Sequence, residues 1–339
     1  MPTIYDVARR ARVSPSTVSR VLNGKQTVDE TLAARVREAA RELDYRPNAL
    51  ARSLRRSRTN LWAVLVSDIN NPFFTALVRG VEDVARSSQY SVVLCNSDED
   101  PDKEASYVAA ILAEQMAGVI ISPTGGGGPV QRLIDASVPI VAIDRQVPGA
   151  TVDLVTVDNE HAATVATTHL IDEGFRHIAC IAGPRDLSTA RQRLDGYRRA
   201  LRAAGRPIDS RLIQYADFRE SGGYAAMAAL LDQSPRPDAV FTTNNLMTIG
   251  ALECLAERGV RVPDDVAVFG FDDVPCATLI QPPLSTVTQP TYEIGRTAAE
   301  LLLARIAEPT RPPSVKVLPT EIHVRASSRR RVTKATRPA

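Results

Sequence analysis

The chain is poor in cysteine and histidine and has no long apolar run. Its 339 residues include four cysteines, Cys95, Cys180, Cys254 and Cys276, far apart in sequence. Three sit among apolar or small residues, which predicts buried free thiols in a reducing compartment rather than a disulfide frame. The four histidines, His161, His169, His177 and His323, make no metal-ligand spacing, so neither a metal nor a cofactor is expected. No stretch of about eighteen apolar residues exists, which excludes a membrane-spanning helix. The opening MPTIYDVARRARV carries charges throughout and lacks the apolar segment of a signal peptide, so a cytoplasmic protein is expected. G-x-S-x-G, H-E-x-x-H and a phosphate loop ending in lysine are also missing. TGGGGP at 124–129 lacks the register and the helix-starting context of a dinucleotide loop and reads as a flexible loop. An enzyme is not expected.

What is present is enough for two or three domains with real cores, since 44% of the residues are hydrophobic. The formal net charge of +2 hides an asymmetry. Residues 1–60 hold thirteen Lys/Arg against six Asp/Glu, residues 61–328 hold 23 against 33, and residues 329–339 hold five bases and no acid. A basic head on an acidic body suggests that the head meets a polyanion.

The head supports that reading. In TIYDVARRA, Thr3 can cap a helix with Asp6 as its capping-box partner, and Ile4, Val7, Ala8 and Ala11 share one side. Ser14 is a good N-cap for a second helix with Pro15 in its first position. Val18, Val21 and Leu22 then form its buried stripe. The opposite face presents Pro15, Ser16, Ser19, Arg20 and Asn23, short groups that allow close approach plus one bidentate donor. DETLAARVREAARELDY gives a third helix with Leu32, Val36, Ala39, Ala40 and Leu43 facing in. Two short helices joined by so tight a turn predict a helix-turn-helix whose second helix enters a major groove.

TIYDVARRARVSPSTVSRVLNG followed by YRPNALARSLRRSRTN resembles the headpiece and hinge of the lactose-repressor (LacI/GalR) family. The resemblance continues to about residue 328. It implies base reading by Pro15, Ser16 and Arg20; Pro15 can offer only an apolar contact, and Arg with guanine is the commonest specific pair. The implied DNA-contacting set is Thr3, Tyr5, Ser14, Pro15, Ser16, Thr17, Ser19, Arg20 and Asn23, with Asn48, Ala51, Leu54 and Arg55 from the hinge. Asn48 can cap a short hinge helix that is marginal alone. By resemblance Leu54 wedges into the minor groove.

The remainder alternates apolar strand candidates (LWAVLVSDI, YSVVLCNS, GVIISP, PIVAID, DLVTVD, HIACIAG, LIQYAD, AVFTTN, VAVFGFDD) with amphipathic stretches. Repeated βα units imply parallel sheets covered on both faces. Two sets, broken near 159 and rejoined near 288, predict two doubly wound lobes like those of periplasmic sugar-binding proteins. The expected organisation is a small all-α headpiece at 1–46, a hinge at 47–59, a core at 60–328 and a disordered basic tail at 329–339. In the core, one lobe takes about 60–159 and 289–318, the other about 160–288 and 319–328.

Ligands of such sheets bind beyond the carboxyl ends of the strands. Asp68, Ser122, Asp144 with Arg145, Asp217 with Phe218, Asn244 with Asn245, Asp272 with Asp273, and Gln289 end strands here. The resemblance sharpens this set. TARQRLDGY implies an effector-binding arginine at Arg191, with Arg193 structural. ADFRESGG implies a stacking Phe218, TTNNLMTIGAL a polar Asn244 and GFDD a carboxylate at Asp272. Phe73, Phe74, Asp144 and Gln289 complete the implied pocket. The expectation is a repressor of carbohydrate-utilisation genes, dimeric on a pseudo-palindromic double-stranded operator and controlled by a small sugar, with ribose-repressor-like stretches. A nucleoside, sugar-phosphate or phosphoprotein corepressor is the alternative, as is a soluble sugar-binding protein without regulation.

Overall fold

A computed structural model describes residues 2–22, 28–45, 59–275 and 277–330 in two compact units, Met1–Asn60 and Leu61–Ala339. Asn23, Asn48, Ala51, Leu54 and Arg55, with the rest of the hinge expected at 47–59 save its last residue, lie outside the described residues, as do Cys276 and the tail from 331.

The first unit contains α1 (Ile4–Ala11), α2 (Pro15–Leu22) and α3 (Glu30–Glu42). The capping box forms as expected, with Thr3 Oγ1 accepting from Asp6 N and the Asp6 carboxylate accepting from Thr3 N. α1 ends at Arg12, held left-handed at φ 51°. Val13 N donates back to Ala8 O at 3.0 Å, the six-to-one bond of a Schellman turn. That reversal lets α2 start two residues later, with Ser14 Oγ accepting from Thr17 N at 3.2 Å. Val7, Val18 and Val36, one from each helix, are fully buried at the centre. The inward face of α3 is shifted slightly from expectation: Ala33 is buried, while Leu32 and Leu43 are half-exposed. Arg35 meanwhile donates to Ala11 O and ties α3 to the end of α1.

The second unit runs β1 (Leu61–Val66), α4 (Pro72–Ser87), β2 (Ser91–Asn96), α5 (Pro101–Ala113), β3 (Gly118–Ile121), α6 (Gly128–Asp135), β4 (Ile140–Ile143), β5 (Asp153–Val157) and α7 (Asn159–Asp172). It continues β6 (Ile178–Ala182), α8 (Ser188–Ala203), β7 (Ile213–Tyr215), α9 (Glu220–Leu231), β8 (Ala239–Thr242), α10 (Asn245–Glu257) and β9 (Ala267–Phe271). It closes with β10 (Ser285–Thr288), α11 (Thr291–Ala307), β11 (Val315–Leu318) and β12 (Glu321–His323). Strands order as β11-β5-β4-β3-β1-β2 in one sheet and β12-β10-β9-β8-β6-β7 in the other. All pairs are parallel except β10 with β12.

All nine strand candidates form strands, because long buried apolar runs flanked by turn residues leave little choice. β10, β11 and β12 carried no such signal. β10 is STVT, where the Ser285 and Thr286 hydroxyls bond neighbours and the buried Thr288 hydroxyl has no hydrogen-bond partner among the described residues, and β11 is an edge strand with Val315 and Val317 more than half exposed. The glycine run also differs from expectation: α6 starts at Gly128, so the loop does lead into a helix. Cys95, Cys180 and Cys254 are free and buried. α4 and α11 cross nearly backbone to backbone, since a Cβ at Gly295 would sit 1.9 Å from Leu77 O. That contact fixes the start of α4, and with it Phe73 and Phe74, at the carboxyl edge of the first sheet.

Candidate functional site

Two surfaces carry the expected chemistry. In the first unit, Thr3, Tyr5, Ser14, Ser16 and Arg20 are exposed, and Pro15, Thr17 and Ser19 are half-buried. Ser14 Oγ hydrogen-bonds Ser16 Oγ at 2.7 Å and Thr17 Oγ1 at 2.9 Å, so these hydroxyls form one small network at the start of α2. Arg20, in the second turn of α2, has no hydrogen-bond or ion-pair partner among the described residues. An exposed guanidinium with free N–H groups beside short hydroxyls is what a duplex groove and its phosphates can accept.

In the second unit, the carboxyl ends of the two sheets face each other across a cleft. Phe73, Phe74 and Asp144 line it from one lobe; Phe218, Asn244 and Asp272 line it from the other. Asp144, Phe218 and Asp272 have left-handed backbones, at φ 62°, 64° and 69°. Such backbone is costly for a residue with a Cβ, and it persists where surrounding structure over-determines it, which is typical of ligand sites. For Asp144 and Asp272 the turn comes directly after β4 and β9 and aims the carboxylate into the cleft. Phe218 lies across Gly183, where any Cβ would come within 2.2 Å of the ring.

The cleft is organised around two buried arginines. Arg193 donates to Asn159 Oδ1 (2.8 Å), Thr243 O (2.8 Å) and Asp272 Oδ2 (3.2 Å), and lies 3.9 Å from Asp144 Oδ1. Its guanidinium stacks on the Phe271 ring at 3.9 Å. Arg145 forks both oxygens of Glu99, at 2.6 and 2.7 Å, and has its Nε 3.4 Å from Asp144. Burial alone would push Arg145 down, but the Glu99 fork outweighs it and raises the guanidinium above its ordinary value. Burial pushes the Asp144 carboxyl up, against the pull of Arg145 and Arg193. Both arginines therefore serve to hold carboxylates in a dry site; each Asp272 oxygen accepts one bond, from Arg193 or Gln289, which leaves its second lone pair for hydroxyl donors.

The lobes are bridged across the cleft. Asn245 Nδ2 donates to Asn71 Oδ1 at 2.9 Å, and Arg219 donates to Asp98 O at 3.1 Å. Asn71 and Asn244 also cap α4 and α10, so helix starts and cleft walls share the same side chains. Behind the floor, Glu104 Oε2 accepts from Thr124 N at 2.8 Å, while its Oε1 and the hydroxyls of Ser67, Ser122 and Thr124 have no hydrogen-bond partner among the described residues. Burial pushes the Glu104 carboxyl up.

Two expected pocket residues are placed elsewhere. Arg191 is exposed on the flank of α8, where it lines a separate hollow and donates to Asp186 O. The arginine that reaches the cleft is Arg193, expected to be structural. Helix phase is the reason. Thr189, Arg193, Gly196 and Ala200 share one buried face of α8, and Arg191 falls outside it. That i, i+4, i+7 spacing was readable in the sequence. Gln289 backs the cleft rather than lining it: its Nε2 donates to Asp272 Oδ1 at 2.5 Å. Asp68, Asp217, Thr189, Arg219 and Glu99 also line the cleft; of these, Glu99, Thr189 and Arg219 carried no earlier expectation.

Among the described residues no helix is long and apolar enough to cross a membrane. Residues 3–48 match the family model of bacterial regulatory proteins, lacI family, and residues 167–328 match a periplasmic binding protein-like domain. The ribose operon repressor of Escherichia coli (strain K12) is 39% identical over 312 residues, covering 91% of this chain and 94% of that protein. A transcriptional regulator CelR–cellobiose complex is 38% identical with a TM-score of 0.73, covering 96% of this chain and 100% of that one. The lac repressor dimer bound to operator and the anti-inducer ONPF is 27% identical with a TM-score of 0.84, covering 97% and 99%. The chain thus belongs to the lacI family of bacterial regulatory proteins: it is a transcriptional regulator with an N-terminal DNA-binding domain and a periplasmic-binding-protein-like core, not an enzyme.

Proposed function

We propose that this regulator represses carbohydrate-utilisation genes in the cytoplasm, on the nucleoid, as a homodimer on a pseudo-palindromic operator, and that a neutral sugar bound in the interlobe cleft controls it. The observation that carries the sugar reading is the pair of carboxylates, Asp144 and Asp272, turned into the cleft from opposite lobes with Arg193 between them. Carboxylates held by buried cations accept hydroxyl hydrogen bonds, and the Phe74 and Phe218 rings suit the apolar faces of a sugar. Five carboxylates (Asp68, Glu99, Asp144, Asp217, Asp272) against three guanidiniums (Arg145, Arg193, Arg219) leave the cleft net negative, which disfavours a phosphorylated effector there. The relative named for ribose and the structure titled as a cellobiose complex set the first sugars to try.

A ligand that touches both lobes favours the closed state by its differential affinity for it, and any coupling to the operator is reciprocal, typically about 1–3 kcal/mol. The hinge segment near Leu54, a groove wedge by resemblance, is the proposed link. Calorimetry of ribose, other pentoses, hexoses and cellobiose, with and without operator DNA, tests both parts. We expect one neutral sugar to bind, operator to weaken it, and Asp272→Ala to abolish the response while DNA binding persists. Equal sugar affinity with and without operator would sink the coupling, and sugar binding unchanged by Asp272→Ala would sink the site.

A further inference from the structure

The residue displaced from the cleft, Arg191, stands in a second site. Arg191, Asp195 and Arg198 recur at i, i+4 and i+7 along the outer face of α8, and Arg185 reaches the same hollow from the turn after β6. The hollow measures about 240 Å³, a little below the usual range of drug-sized sites and of a size for a small metabolite. Gly183, Pro184, Ala190 and Leu194 form an apolar floor, and Tyr215 from the edge strand β7 forms a wall.

Its charge is the reverse of the cleft's. Three guanidiniums face one carboxylate, Asp195, which is already engaged by Arg198 at 3.1 Å. Arg185 and Arg191 have no carboxylate partner among the described residues. The Arg185 guanidinium carbon stands over the Tyr215 ring, 3.7 Å from its centroid, a cation–π contact that holds the head at this wall. Arg191 is held by one bond to Asp186 O at 2.8 Å, and its other donors have no partner among the described residues. The local balance of +2 matches the dianion of a phosphate monoester near neutral pH, and guanidinium forks match its oxygens bidentately.

We propose that this flank hollow is a second ligand site, taking the phosphate monoester of a small metabolite, distinct from the neutral-sugar cleft. The ester's organic part packs on the floor between Ala190 and Leu194, and its phosphate meets Arg185 and Arg191. α8 carries both this face and Arg193, so the two ligands would share one helix.

The test is calorimetry on the full chain at low salt, with glucose 6-phosphate as probe, glucose as neutral control and inorganic phosphate as competitor. We expect glucose 6-phosphate to bind with a stoichiometry of one and glucose not to displace it. Arg185→Ala and Arg191→Ala should each weaken it by at least about tenfold, the scale of a lost charged hydrogen bond. Asp272→Ala should leave it unchanged. Both arginines are exposed, so unaltered thermal unfolding without ligand will show that the variants fold. No binding of glucose 6-phosphate, full binding by the double arginine variant, or loss in Asp272→Ala overturns the proposal. Inorganic phosphate binding while glucose 6-phosphate is excluded overturns it as well. None of these outcomes bears on the neutral-sugar reading of the cleft.

Discussion

Replacing Arg193 by alanine should damage this protein far more than replacing Arg191, two residues away on the same helix. Arg193 makes three hydrogen bonds shorter than 3.3 Å and stands within 4 Å of two carboxylates, all in buried surroundings. Its removal leaves Asn159 Oδ1 and Thr243 O short of a donor and Asp272 and Asp144 facing each other without the intervening cation. Breaking a buried ion pair from one side costs about 3–5 kcal/mol, because the remaining charge stays desolvated. For a unit of this size each kcal/mol lowers the melting temperature by roughly 2–4 °C, so the fall should be roughly 6–20 °C. Arg191 is exposed and bonds one backbone carbonyl, so its replacement should stay within about 0.5 kcal/mol. Arg193→Lys should fall between the two, since it keeps the charge but loses the fork. Calorimetric unfolding of the four proteins, without ligand, measures this. A melting temperature for Arg193→Ala within 2 °C of the Arg191→Ala value would refute the view that Arg193 holds the cleft together.

Two further outcomes are expected. Arg20→Ala should cost about 1–3 kcal/mol of operator binding and relax base preference at one position per half-site; selection of binding sequences from a random pool checks it, and an unchanged consensus contradicts the groove assignment. The Glu104 carboxyl, raised by burial above its ordinary 4.5, holds more protons folded than unfolded, so its contribution to stability is complete below that value and is lost as pH rises through the raised one. Glu104→Gln keeps the acceptor for Thr124 N without the titration; its melting temperature should fall less than the wild type's between pH 5 and pH 8, and parallel profiles would show that Glu104 does not titrate there.

Much of the molecule was legible from short-range patterns. The capping box at Thr3, the Pro15 start of α2 and the Val18–Val21–Leu22 stripe act within one or two helical turns, so neighbours in sequence suffice to specify them. The nine apolar strands are likewise local, because no other element buries such a run. The turn residues at their carboxyl ends marked Asp144, Phe218, Asn244 and Asp272, and all four line the cleft. β10 to β12 were not legible, since their pairing supplies what their composition lacks: Ser285 exchanges hydroxyl bonds with Arg325 and Ser328 forty residues on.

The amino-acid pattern alone was enough for the headpiece helices, the βα alternation and the family, since periodicity and caps are properties of neighbouring residues. Which arginine enters the cleft, that Gln289 props Asp272, that Arg145 forks Glu99, and the opposite charge of cleft and flank were decided only by tertiary structure. Arg193 and Asp272 lie 79 positions apart and Arg145 and Glu99 lie 46 apart. Charges that far apart in the chain acquire a common field only when the sheets bring their carboxyl ends together and water is excluded between them.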